Sequence, residues 1–128
     1  MATIVMLAPS GCSLGADEEP KRVSGEAAKV AVTVNRLERA VEQQDFDTIC
    51  EQLFTTRARE RAGGDECTRQ LRSAAEGVEG PSIEIERIEV NKDRATVRVR
   101  TDAEGQERVT DELELRLQDG RWLVEALG

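Results

Sequence analysis

Two cysteines in the middle of this 128-residue chain are the residues whose type and spacing most readily carry chemistry. Cys50 and Cys67 are seventeen positions apart, and neither belongs to a Cys-x-x-Cys redox motif. Without histidine or a nearby third cysteine, two thiols do not complete a zinc tetrahedron, so we expect no metal site. The pair is predicted to form a disulfide, worth about 3 kcal/mol on the chain-entropy model. Two free buried thiols, or a catalytic thiol, remain as alternatives.

One aspartate is the best candidate for a catalytic base. The chain has no histidine and no tyrosine, which removes the commonest general base and the phenolic donor of many active sites. Asp111 shares the alternation of Val109 and Leu113, so it would lie on the apolar face of a strand and could act as a base with Arg87 or backbone donors. Alternatively, the strand begins after Asp111 and leaves it at the solvated rim. The composition favours a non-catalytic protein over an enzyme, and we expect no cofactor.

The net charge limits the partners. The formal charge is −8, with 26 acidic and 18 basic residues, so the overall field repels phosphate backbones. The aromatic residues are also too few for a stacking platform. We therefore expect no nucleic-acid partner.

The amino-terminal residues indicate export. Residues 1–12 are apolar, then small and polar, and end at Cys12, which resembles the end of a bacterial lipoprotein signal peptide whose cysteine carries a diacylglycerol. Residues 13–24 are polar, charged and interrupted by Pro20, as expected of a flexible tether. The prediction is a signal-peptide remnant, a tether and a single domain over 25–128, anchored outside the cytoplasmic membrane by the lipid. The alternative is an ordinary flexible end or a first strand, with an incidental thiol.

The first half of that domain has helical periodicity. Apolar residues recur every three or four positions over 25–43 and predict one long amphipathic helix. Three residues can cap the starts of helices: Ser24, Asp45 and Asp65. Between the second and third of these, Thr55 or Thr56 begins a short helical turn that ends at two glycines, 63 and 64. The arginines at 57, 59 and 61 are interpreted as cations favoured near a helix C-terminus.

The second half has the period of two that is typical of strands. The alternation of Ile83 and Ile85 slips at residues 86–87, which predicts a β-bulge. Three turn segments separate four strands, and the last, Asp119-Gly120, is a strong hairpin signal. The predicted fold class is α+β, with N-terminal helices, one long and two or three short, packed on a bent four-stranded antiparallel meander.

Several short motifs resemble a known superfamily. They are Asp45-Phe46 after the long helix, Cys50-x-x-Leu53, the second cysteine, and Asp119-Gly120-Arg121-Trp122 in the final hairpin. Together with the bent meander they resemble small extracytoplasmic members of the nuclear-transport-factor-two-like superfamily, cone-shaped domains that are often lipoproteins. The resemblance implies the cone fold but little about function, because members include isomerases, dehydratases, binding proteins and docking domains.

Three functions are consistent with these features. We expect a non-catalytic, membrane-tethered extracytoplasmic domain that binds a protein or a small apolar ligand, with Phe54, Arg87 and Trp122 as candidate pocket residues. The first alternative is a small isomerase or hydrolase-like enzyme with Asp111 as its base. The second is an assembly domain of an envelope complex or a homodimer, because the last strand is apolar on both faces and should be central or covered by a partner.

Overall fold

The computed structural model describes residues 25–127. Within them, four α-helices precede one antiparallel sheet. The helices are α1 (Gly25–Glu42), α2 (Phe46–Thr48), α3 (Thr56–Arg61) and α4 (Cys67–Ala74). The strands are β1 (Ser82–Asn91), β2 (Arg94–Asp102), β3 (Val109–Gln118) and β4 (Arg121–Leu127). The predictions for the signal remnant, the tether, Cys12 and the Ser24 cap lie outside the described residues.

Helix α1 forms over the predicted range and packs one face against the sheet. Its buried residues recur at helical spacing: Val30, Thr33, Val34, Leu37 and Ala40. The hydroxyl of Thr33 donates to the carbonyl oxygen of Trp122 at 2.8 Å, which satisfies a buried polar group and ties the helix to β4.

The short helices follow the predicted cap at Asp45 and the predicted helical turn that begins at Thr55, but not the predicted cap at Asp65. Asp45 accepts a hydrogen bond from the backbone N–H of Thr48 at 3.3 Å, and α2 continues directly as a π-helix over Ile49–Leu53. Thr55 caps α3 by accepting from the N–H of Ala58 at 3.0 Å. The prediction that Asp65 caps the third helix is wrong. The chain turns through glycines with positive φ and places Asp65 inside a 3₁₀ turn, Gly64–Glu66, before α4 begins.

The strands form the predicted meander in the order β1-β2-β3-β4. The register of β1 against β2 shifts between Ile85 and Arg87, which confirms the predicted bulge. A second shift, not predicted, lies between Glu114 and Leu115 and leaves Glu125 of β4 outside the ladder. Bulges bend a sheet and increase its twist, so these two shape the curved face that the helices cover. The α+β fold class is confirmed.

The last strand lies at the edge of the sheet and is not central. Its outer edge is partly paired by the same chain, because Phe54 forms an isolated parallel bridge with Val124 and the N–H of Thr55 donates to the Val124 carbonyl oxygen at 2.9 Å. Residues 54–55 therefore protect part of an edge that would otherwise be open. No helix among residues 25–127 is both long and apolar enough to cross a bilayer.

Candidate functional site

An apolar cavity of about 300 Å³ lies between the helices and the sheet. All twelve lining residues are apolar: Leu37, Val41, Phe46, Ile49, Phe54, Leu71, Ala74, Ala75, Val78, Ile83, Val124 and Leu127. They come from α1, α2, the π-helix, α4, β1, β4 and the segments between them. A cavity of this size lies at the lower end of the range for small-molecule sites.

Phe54 is part of the cavity wall because the π-helix ends there and the backbone becomes extended. The backbone of Phe54 is extended, with φ −93° and ψ 146°, and it pairs with Val124 of β4. The ring is thus held between the helices and the edge of the sheet, where it is half-buried. Beyond it, Leu127 is 68% exposed, which is unusual for a leucine that lines a cavity. Leu127 therefore marks the mouth.

The disulfide secures the α4 wall of the cavity. Cys50 of the π-helix and Cys67 at the start of α4 are bonded, with Cα atoms 6.1 Å apart, and both residues are buried. The hydroxyl of Thr68 also donates to Asp47 Oδ1 at 2.7 Å. These links hold in place the helix that carries Leu71. Because disulfides persist outside the cytoplasm, the bond also indicates an extracytoplasmic location.

A second cleft, of about 240 Å³, adjoins the mouth of the cavity. It shares four lining residues with the cavity: Phe54, Leu71, Val124 and Leu127. Its remaining residues are Ala58, Arg61, Ala62, Glu125 and Ala126, and we call it the Arg61 cleft. The Arg61 guanidinium donates through Nη2 to the backbone carbonyl oxygen of Glu125. The cavity therefore has a cation at one end.

The Glu125 carboxylate is held by α3 and its N-terminal cap. The buried hydroxyl of Thr55 donates to Glu125 Oε1 at 2.7 Å, and Arg57 Nη1 lies 3.8 Å from Oε2. The side chain of Glu125 is only 13% exposed. This network joins α3 to the bulged part of β4 and fixes the position of the Arg61 cleft.

The other end of the cavity is acidic. Two further clefts share Val41 and Val78 with it and have carboxylates among their lining residues. The carboxylate residues are Glu42 and Glu79 in one cleft and Asp102 and Glu107 in the other. The apolar cavity thus lies between one cationic and one anionic rim.

Of the predicted site residues that lie within the described range 25–127, the structure places only Phe54 in the cavity wall. Trp122 is 4% exposed and belongs to the core, where its indole N–H donates to Glu26 Oε1 at 2.7 Å. Arg87 is exposed on β1, beside the bulge, and forms an ion pair with Glu89 at 2.6 Å.

Asp111 lies on the inward face of β3, opposite the buried Val99, but it does not line the apolar cavity. The strand begins at Val109, so Asp111 lies within it and not before it. The structure therefore does not bring Asp111 and Arg87 together in the cavity. Among residues 25–127, no group of three or more potential metal-ligating side chains is close enough to hold an ion.

Sequence reasoning missed Arg61 and Leu127 as site residues. The helix dipole alone accounts for an arginine at position 61, and nothing local in the sequence shows that the end of α3 faces β4. Leu127 lies in an apolar strand, and the exposure of its side chain depends on the position of that strand in the sheet. The only signal is the apolar character of both faces of β4, which predicts a strand that is central in the sheet or covered by a partner.

No protein-family model and no curated protein matches the chain. Solved structures do match. An NTF-2 like protein of unknown function from Silicibacter pomeroyi is 22% identical, with a TM-score of 0.59 over 78% of this chain and 90% of its own. An NTF2-like protein of unknown function from Shewanella baltica is 17% identical, with a TM-score of 0.56 over 80% and 94%. An LEH-like epoxide hydrolase from M. tuberculosis is 22% identical, with a TM-score of 0.52 over 79% and 83%. At these identities, the likeness establishes the fold alone.

Proposed function

Since the chain has an NTF2-like fold with an open apolar cavity between its helices and its sheet, we propose that it is a non-catalytic extracytoplasmic domain that binds a small apolar ligand there. The observation that carries the proposal is the lining, in which all twelve residues are apolar. Such a wall favours apolar groups by removing them from water, whereas acid–base catalysis would need a titratable side chain within reach of the substrate. The enzymatic alternative would need Asp111 in the cavity, and Asp111 is not one of the lining residues.

The cavity volume sets the size of the ligand. At about 30 Å³ for each non-hydrogen atom, the volume that a water molecule occupies in the liquid, the cavity holds roughly ten atoms. An eight-carbon alcohol has that size. At about 0.5 kcal/mol for each atom, its binding free energy would be roughly 4.5 kcal/mol, which corresponds to a dissociation constant of about 0.5 mM.

Titration with 1-octanol, followed by amide chemical shifts, tests the proposal. We expect saturable shifts at the lining residues. Replacing Ala75, which lines the cavity and is half-buried, by phenylalanine should fill the space and weaken octanol binding at least tenfold. Ser73→Phe adds the same side chain at an exposed position outside the lining and should leave the affinity unchanged. Equal affinities for wild type and Ala75→Phe, with a native circular dichroism spectrum, would refute the proposal.

The proposal includes a lipid anchor. The Cys50–Cys67 disulfide supports an extracytoplasmic site of action, and the sequence pattern that ends at Cys12 supports attachment of a diacylglycerol to that cysteine. Mass spectrometry of the protein made in its own host tests this part separately. A mature chain that begins with lipid-modified Cys12 is expected. An unmodified chain that still begins at Met1 would contradict it.

A further inference from the structure

The Arg61 cleft gives the apolar cavity a charged entrance. The cleft and the cavity have four wall residues in common, so a ligand chain in the cavity can extend towards the cleft past Phe54 and Leu127. Only two residues of the cleft carry charge, Arg61 and Glu125. The net charge near a bound ligand depends on how far neighbouring groups of the protein already neutralise Arg61 and Glu125.

Glu125 is compensated by its neighbours. Its carboxylate accepts from Thr55 at 2.7 Å and lies 3.8 Å from the Arg57 guanidinium. Arg61 contacts the backbone carbonyl oxygen of Glu125, and no carboxylate within residues 25–127 forms an ion pair with it. Two guanidinium groups thus accompany the Glu125 carboxylate, so these three side chains together carry one positive charge, although the protein as a whole carries −8.

Arg61 is arranged to receive a carboxylate. A guanidinium has five N–H donors, and the bond to Glu125 uses one nitrogen and holds the side chain in position. The remaining donors match the two oxygens of a carboxylate, which arginine commonly binds in a bidentate manner. Because the Arg61 side chain is already held in place before the ligand binds, less conformational entropy is lost on binding.

The opposite rim determines the orientation of an anion. The carboxylates of Glu42, Glu79 and Glu107 are exposed there, and that of Asp102 lies 3.7 Å from Arg108. A negative headgroup is repelled from that end and attracted to the Arg61 end. An uncharged ligand has no such preference.

From this geometry we propose that the ligand is a monoanionic amphiphile, whose carboxylate binds Arg61 while its short apolar chain fills the cavity. The inference rests on the proposed function and specifies the ligand class. A carboxylate with a saturated chain of about eight carbons matches the volume worked out above.

Three probes with the same eight-carbon chain test the headgroup: octanoate and octylammonium, titrated below their critical micelle concentrations, and 1-octanol, titrated below its solubility limit, all at pH 7. We expect octanoate to bind about two- to fivefold more tightly than octanol, which is the upper part of the range for an exposed ion pair. Octylammonium should bind more weakly than octanoate. The preference for octanoate should shrink in 0.5 M salt, because partly exposed charges are screened.

Arg61→Gln should abolish the preference for octanoate over octanol. The matched control is Arg69→Gln, which removes the same charge from an exposed residue of α4 that pairs with Glu66 and does not line the cleft. Arg69→Gln should retain the full preference. Persistence of the preference in Arg61→Gln, or tighter binding of octylammonium than of octanoate by wild type, would overturn this inference alone. If none of the three probes binds, the proposed function itself fails.

Discussion

Replacing Thr55 by valine removes one hydroxyl that makes two hydrogen bonds in the network beside the Arg61 cleft. Thr55 is 1% exposed, and its oxygen accepts from the Ala58 N–H at 3.0 Å while donating to Glu125 at 2.7 Å. Valine has nearly the same shape and the same branching, so the substitution leaves no cavity. The change in stability therefore reports the hydrogen bonds and not the packing.

The two losses can be estimated separately. Loss of an N-terminal helix cap costs about 1 kcal/mol. A hydrogen bond to a charged acceptor contributes about 1.5 kcal/mol at the low end of its range, which we use because Glu125 keeps its contact with Arg57 and has some access to water. Together they destabilise Thr55→Val by roughly 2.5 kcal/mol. For a urea dependence of about 2 kcal/mol per molar, the unfolding midpoint should fall by about 1.2 M.

Urea unfolding at pH 7, followed by the fluorescence of the buried Trp122, measures this midpoint. Thr55→Ser is the control, because it keeps the hydroxyl and loses one methyl group, worth about 0.8 kcal/mol. The serine variant should show less than half of the valine shift. A midpoint for Thr55→Val within about 0.3 M of wild type, or equal shifts for the two variants, would show that the network does not stabilise the fold.

Two further outcomes follow from the structure. Reduction of the Cys50–Cys67 disulfide, or its replacement by two alanines, should lower the free energy of unfolding by about 3 kcal/mol, and an unchanged urea midpoint under reductant would contradict this. The Trp122 indole N–H, with help from Lys29, lowers the pKa of Glu26 below its ordinary value of 4.5. Because the pKa of Glu26 is lowered in the folded state, the ionised side chain stabilises the fold above pH 4.5. This stabilisation is lost as the pH falls through the pKa of Glu26 in the folded state. Glu26→Gln should therefore lose less stability than wild type on acidification from about pH 5 to pH 3 in urea titrations, and identical losses would refute the assignment.

The elements that local patterns determine could be predicted from the sequence. The stripe of α1 follows the helical period, and the bulge near residue 86 follows a slip in alternation within one strand. The final hairpin follows from Asp119-Gly120, which adopt positive φ values of 54° and 79°. In each case the deciding residues are neighbours in the chain.

Features that depend on distant contacts could not be predicted. The extended conformation of Phe54 depends on pairing with Val124, seventy positions later, and the second bulge depends on the register between β3 and β4. Periodicity indicates which side chains point inwards but not whether they fill the space that they enclose. For that reason the sequence predicts Trp122 in the pocket, whereas in the structure Trp122 lies in the core and Leu127 lines the cavity.

Intermolecular nuclear Overhauser effects from bound 1-octanol test the central claim most directly. The account predicts contacts from the octanol chain to the methyl groups of Ile49 and Leu71, which line the cavity, and none to Val32, a 57% exposed residue on α1 outside it. Contacts to Val32 as strong as those to the cavity residues, or no contacts at saturating octanol, would contradict it.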